Sequence, residues 1–297
     1  MSFNLFATLL VNGLAMGVIY AMMAMGLILL IRAVGILNFA QGELLMFGAF
    51  ISAMLILDFE LPLYLKIPVS LLFYAVIGLV FMFTIYWPLR GASYAATTII
   101  ATMGAAIVLR ELAVMFWGPM PRSLAPLVTD YAGRPALLDI AGVSLQWQNI
   151  LIVIVGGLLM YAVYLLFEKL YIGKMMQAAC QNSYAANLIG IPTILTIAAT
   201  YIIVAILASV AGYMVAPIFL VRNTLGTLQL SAFAGVVIGG FGNIKGAIIG
   251  SLIVGVLEVF STVPFPAYRD VTVFLILIVF LLLRPQGLFG EKIADKA

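Results

Sequence analysis

The sequence predicts an all-α, polytopic membrane protein, with about eight or nine transmembrane or half-spanning helices at roughly 20 residues per crossing. Three observations carry this reading. The chain is 65% hydrophobic and only 8% charged over 297 residues, with a mean hydropathy of +1.24, more apolar surface than a soluble domain of that length can bury. The apolar residues fall in continuous runs, whereas a membrane β-barrel needs short alternating segments. Small residues recur within the runs, as helices that pack against each other in lipid require.

The elements follow in order. Leu5 to Ile31 is the first span, punctuated by Gly13, Gly17 and Gly26 and closed by Arg32. The start MSFNLF carries no Lys or Arg, so the basic segment of a cleavable signal is missing and the run is expected to remain as a span. Asn38, Gln41 and Glu43 then lead into a second span ending near Leu57. Polar groups at that depth are costly and usually face a partner or a water-filled path; capping of a helix end at the interface is the other reading. Asp58 and Glu60 mark a loop, and Leu63 to Trp87 is a third span with Pro68 near its start, where proline is best tolerated.

Thr97 to Trp117 is a weaker span holding Arg110 and Glu111. Adjacent residues on a helix do not face each other. A boundary near Leu109, a snorkelling Arg110 and a half-helix facing protein all fit. Gly118 to Gln148, with four prolines, reads as loop with a short hairpin. Ile150 to Phe167 and Ile194 to Ala216 are the fifth and sixth spans, and Pro217 to Gln229 is a loop. Leu230 to Val263 is too long for one span and dense in glycine; it reads as two short helices joined at Gly242 to Gly246, with Glu258 in the second. Val263 to Pro266 is a turn, and Val271 to Leu283 is the last span.

Between the fifth and sixth spans lies the most polar-tolerant segment of the second half, Gly173 to Pro192. Its period predicts one helix, with Met175, Ala179, Ala186 and Ile189 on one stripe and Gln177, Gln181, Ser183, Tyr184 and Asn187 elsewhere. Gly190 and Pro192 stop it. A small-residue stripe, with Ala185 beside it, admits close approach of a partner, so this stretch is expected to dock another protein.

Much chemistry is excluded. There is no histidine and one cysteine, so neither His-based catalysis nor a Cys-rich metal site is expected. No GxxxxGK[ST] loop occurs, so ATP would have to be hydrolysed by another chain. No catalytic residue, metal or cofactor is expected. A net charge of +3 is small and suggests no nucleic-acid partner, while the apolar runs make membrane lipid a partner.

The docking stretch resembles the cytoplasmic coupling loop of ABC importer permeases, and more narrowly that of the branched-chain amino acid (leucine/isoleucine/valine) permease family. The matching pairs are Gly173-Lys174, Gln177-Ala178, Ala185-Ala186 and Gly190-Ile191, where that family runs Gly-Arg, Arg-Ala, Ala-Ala and Gly-Ile. Gln177 replaces the usual Arg, and the stretch has no acid, so the resemblance implies seating by packing. Tyr20-Ala21, Gly26-Leu27 and Asn38-Phe39-Ala40-Gln41-Gly42 resemble the family's opening signature. Gly246, Gly250 and Gly255 followed by Glu258, and Arg284 to Phe289, resemble its end. The resemblance spans nearly the whole chain. It implies one permease domain over residues 1–297 with a cytoplasmic coupling loop at 168–192, working by alternating access. It implies ATPase-coupling residues Gly173, Lys174, Ala178, Ala179, Ala185, Ala186, Gly190 and Ile191. The substrate pathway is expected at Asn38, Gln41, Gly42 and Glu43. Implied partners are ABC ATPase subunits, a second permease chain in a heterodimer, and a solute-binding protein. Permeases for urea or short amides carry similar signatures, and a channel or secondary transporter without an ATPase is the rival class.

With the docking stretch in the cytoplasm, Arg32, Arg90, Lys169, Lys174, Lys245, Arg284, Lys292 and Lys296 fall inside. Lys66, Arg122, Arg134, Arg222 and Arg269 fall outside, with Arg110 in a span. That excess has the sign expected of a bacterial or archaeal inner-membrane protein with a cytoplasmic C-terminus; nine spans then place the N-terminus outside.

Overall fold

A computed structural model describes residues 3–59, 62–91, 95–130, 134–140, 143–264 and 266–289. Glu60, Phe265, Lys292 and Lys296, given places above, lie outside them. The fold is helical: α1 Phe3–Val34, α2 Gln41–Ala53, α3 Leu63–Phe81, α4 Trp87–Leu89, α5 Ala95–Trp117, α6 Trp147–Glu168, α7 Tyr171–Gln181, α8 Ser183–Leu188, α9 Thr193–Phe219, α10 Leu228–Gly239, α11 Ile244–Ser261 and α12 Arg269–Leu283. Single π-helical turns, Met54–Asp58 and Met82–Tyr86, extend α2 and α3. The polar region before α6 contains the expected hairpin, β1 Leu137–Ile140 paired antiparallel with β2 Val143–Gln146. Among the described residues seven helices are long and apolar enough to cross a membrane, and two more apolar helices, Leu225–Gly239 and Val271–Leu283, are shorter.

The chain forms two compact units. One comprises Met1–Ile28, Leu127–Gly157 and Leu230–Ala297; the other comprises Leu29–Pro126 and Leu158–Gln229. In the first, α1 packs on α11 through small residues, with Gly13 and Gly17 against Leu252, Gly255 and Val256. Here α12 is tied down by charge. Glu258 is buried and accepts from the Tyr20 hydroxyl at 2.9 Å and from Arg269 Nε. The carboxylate that stood alone in the sequence therefore has its cation eleven residues on.

In the second unit α2 crosses α9 with backbones nearly touching. A β-carbon built on Gly48 would lie 2.2 Å from Cα of Ser209, and one on Gly212 would lie 1.9 Å from the Leu45 carbonyl oxygen. Only glycine fits both positions, and Ser209 Oγ donates to the Leu44 carbonyl at 3.2 Å across the same crossing. Close approach of this kind supplies packing where lipid removes the hydrophobic drive between helices. Ile51, Leu55 and Tyr74 form an adjoining core that fastens α3.

Candidate functional site

Two sites emerge, both within the second unit. The first is built where α2 begins. Gly35 has φ +78° and ends α1; the chain then runs without regular structure to Gln41, so α2 starts inside the bundle. Asn38 and Gln41 are fully buried and Glu43 nearly so. The Asn38 side-chain oxygen accepts from Ala40 N at 2.9 Å, an Asx-type turn that aims the chain into the helix. Gln229, at the start of α10, closes the site from the other side. Its Nε2 donates to the Asn38 carbonyl at 2.9 Å, and its Oε1 accepts from Gly42 N. Leu220 holds a positive φ of 63°, and the irregular segment it opens brings Gly226 onto the Glu43 carboxylate, where a β-carbon would lie 2.6 Å from Oε1.

The charge on Glu43 is met by Arg110 of α5, Nη2 to Oε1 at 2.9 Å. The half-helix among the three readings at Arg110 is a full helix of 23 residues, from which the guanidinium reaches across to α2. Arg110 lies seven residues before the end of α5, about 10 Å of helix, so the pair is set back from the end of that helix. Non-helical backbone at that depth is tolerated where it is buried in protein or lines a cavity. Asn38 Nδ2, Glu43 Oε2 and Arg110 Nε are buried without a hydrogen-bond partner among the described residues. The structure thus brings Asn38, Gly42 and Glu43 together and adds Gly226 and Gln229, which the sequence did not mark, and Arg110, which it marked without a partner. Arg110 carried a signal, as a cation in an apolar run, but its partner is 67 residues away.

The second site is the stretch between α6 and α9. The single helix expected there is two, α7 and α8, broken at Asn182. That residue is extended (φ −155°), and its side chain accepts from Ala185 N at 2.9 Å to cap α8, as asparagine does well. Gly190, with φ +84°, ends α8, and Ile191 N donates back to the Ala186 carbonyl at 2.9 Å in a Schellman closure. The expected small stripe is corrected. Gly173, Ala179 and Ala186 are buried in this chain's own fold, whereas Ile189 is exposed. Met176, one residue from the expected Met175, completes the buried face. A short amphipathic helix lying on the ends of spans turns its apolar side inward. Lys174, Ala185 and Gly190 are exposed, Ala178 and Ile191 are half-buried, and Tyr184 and Leu188 join Ile189 on the open side.

A polar hub ties α7 to the spans. Arg32, at the end of α1, pairs with Glu168 of α6 and donates to Gln177 Oε1 at 3.2 Å, while Gln177 Nε2 donates to the Phe167 carbonyl at 2.9 Å. Cys180 packs beside it, its Sγ 3.8 Å from the Ile31 carbonyl oxygen, and burial raises its thiol pKa. Beside α8 opens a cleft of about 760 Å³ lined in part by Tyr86, Trp87, Arg90, Ser183, Asn187 and Thr193. Arg90 lies 3.6 Å over the Trp87 ring.

Seven helices long and apolar enough to cross a membrane, among the described residues, define the class as a multi-pass helical membrane protein. The family described as branched-chain amino acid transport system, permease component, matches residues 9–283, and the chain belongs to it. Relatives include the high-affinity branched-chain amino acid transport system permease protein BraD of Pseudomonas aeruginosa, 31% identical over 97% of this chain and 96% of that protein. The corresponding LivH of Salmonella typhimurium is 30% identical over 96% of each. Among solved structures, PsaBC from Streptococcus pneumoniae in complex with Fab aligns with a TM-score of 0.48 and 14% identity, covering 99% of this chain and 93% of that one.

Proposed function

We propose that this chain is the membrane-spanning subunit of an ATP-driven importer of branched-chain or related amino acids, working by alternating access. The observation that carries the reading is family membership over nearly the whole chain. ATP is hydrolysed by separate ATPase subunits, since the sequence has no phosphate-binding loop. These subunits seat on the open side of α7 and α8, at Lys174, Ala185, Tyr184, Leu188 and Ile189. The inner residues Gly173, Ala179 and Ala186 set the pose of the two helices. A solute-binding protein delivers substrate from the opposite side, and a second, non-identical permease chain completes the pathway, which passes Asn38, Gln41, Gly42 and Glu43. The docking stretch faces the cytoplasm of a bacterial or archaeal cell. Consistent with that orientation, Arg32, Glu168, Arg90 and α8 gather at one end of the second unit, and Asp58 pairs with Arg122 at the other.

The test is reconstitution in liposomes. Uptake of radiolabelled leucine is expected only when the second permease, the ATPase subunits, the binding protein and internal ATP are all present. Saturable uptake by this chain alone would sink the reading and favour a channel or secondary transporter.

A further inference from the structure

We infer that Glu43 and Arg110 form an exchangeable ion pair that receives the two charges of a zwitterionic α-amino acid in transit, an inference that rests on the importer reading above. Four features of the pair support it. It lies within the span, where α2 begins late and the irregular segment before α10 meets it. It is singly bonded: Arg110 Nη2 holds Glu43 Oε1, while Glu43 Oε2 and Arg110 Nε have no partner among the described residues. It is asymmetric, since the Glu43 side chain is 3% exposed and that of Arg110 is 37% exposed, so the carboxylate is the fixed inner half and the guanidinium the outer one. Finally, the wall behind the carboxylate is Gly226, where any side chain would overlap the oxygens.

A buried pair with only a structural task is best served by full hydrogen bonding, because each open donor or acceptor at low dielectric is costly. This pair instead keeps an acceptor and a donor open, and the buried Asn38 amide adds a second open donor close by in the chain. They complement an α-ammonium and an α-carboxylate. Exchange solves the central problem of moving a zwitterion through an apolar span. The substrate ammonium takes the place of Arg110 on Glu43, and the released guanidinium takes the substrate carboxylate. Each positive charge keeps a negative neighbour throughout, so no bare charge is desolvated. The pair reads only the groups common to α-amino acids and leaves choice among side chains to other surfaces.

The test compares Glu43→Gln, Arg110→Met and the double variant E43Q/R110M in the complete complex with ATPase subunits and binding protein. A purely structural pair predicts that the double variant regains wild-type assembly and leucine uptake, because neither charge is left alone. Exchange predicts a double variant that assembles with the ATPase subunits like wild type, yet takes up leucine at least about ten-fold more slowly, as expected for losing charge-assisted bonds. Wild-type uptake by the double variant overturns the inference. A second measurement needs no variant: radiolabelled leucine bound to the wild-type permease–ATPase complex without binding protein. Leucinamide lacks the carboxylate and 4-methylpentanoate lacks the ammonium, so both are expected to compete at least about ten-fold more weakly than leucine. Equal competition by both overturns the inference. A wild-type complex that fails to take up leucine on addition of ATP is a separate result and removes the importer reading itself.

Discussion

Glycine at position 48 has no tolerable substitute, because a β-carbon there would meet the Ser209 backbone at 2.2 Å. Backbone cannot rotate away as a side chain can, so Gly48→Val must push α2 off α9. We expect a loss of at least about 1–3 kcal/mol, the usual range for overpacking, seen as a lower melting temperature of the purified chain in detergent. Gly104→Val is the control: a β-carbon there meets nothing within 4 Å, so the change is expected to stay within about 1 kcal/mol. At this scale the sequence marked kinds of residue and not their partners. Asn38, Gln41 and Glu43 stood out as polar groups against an apolar run. That Gly226 and Gln229 close over them depends on a distant segment, with Gln229 191 residues from Asn38, and nothing local encodes that.

The docking stretch shows the same division at the scale of elements. Its C-terminal end was readable, because Gly190 and Pro192 stop a helix by their own backbone chemistry. Its break was readable in principle, since Asn182-Ser183 is a good cap for a new helix, but the continuous period across it concealed the signal. Which face turns inward was not readable. Small residues suit a partner's groove and the chain's own spans equally, and the position of the spans decides between them. Two neighbouring substitutions separate the faces. Ala186→Arg puts a cation at a position 3% exposed and is expected to cost several kcal/mol, lowering the abundance of the permease itself. Ala185→Arg points outward, so permease abundance is expected to hold while recovery of the ATPase subunits falls. Co-purification with permease abundance as control reads both. Full ATPase recovery with Ala185→Arg would show that the open side of α8 is not the seat.

At the scale of the whole molecule, the single cysteine reports which end faces the cytoplasm. Cys180 lies in α7 beside the Arg32 hub, at the end assigned to the cytoplasm. A membrane-impermeant maleimide is expected to label it in inside-out vesicles and not in intact cells. Labelling is expected to be slow, since the residue is half-buried and burial raises its pKa. The thiolate is the reactive form, so the rate should go on rising with pH beyond about 8.5, the ordinary thiol value. Labelling from the outside would invert the topology. The broad apolar surface on α3, α5 and α6 belongs to the same scale. It is the area that lipid and the second permease chain are proposed to share.

The sequence by itself determined the class and the approximate bounds of the apolar helices, and the places where polar chemistry interrupts them. Those properties follow from local composition, because hydrocarbon demands long apolar runs and closed backbone hydrogen bonding whatever the packing. Only the tertiary structure decided that Glu43 is paired with Arg110, that Glu258 is held by Tyr20 and Arg269, and that Ala179 and Ala186 face inward. Each outcome depends on which helix lies beside which. In an apolar medium many pairings bury similar surface, so close glycine contacts and a few buried charges select among them.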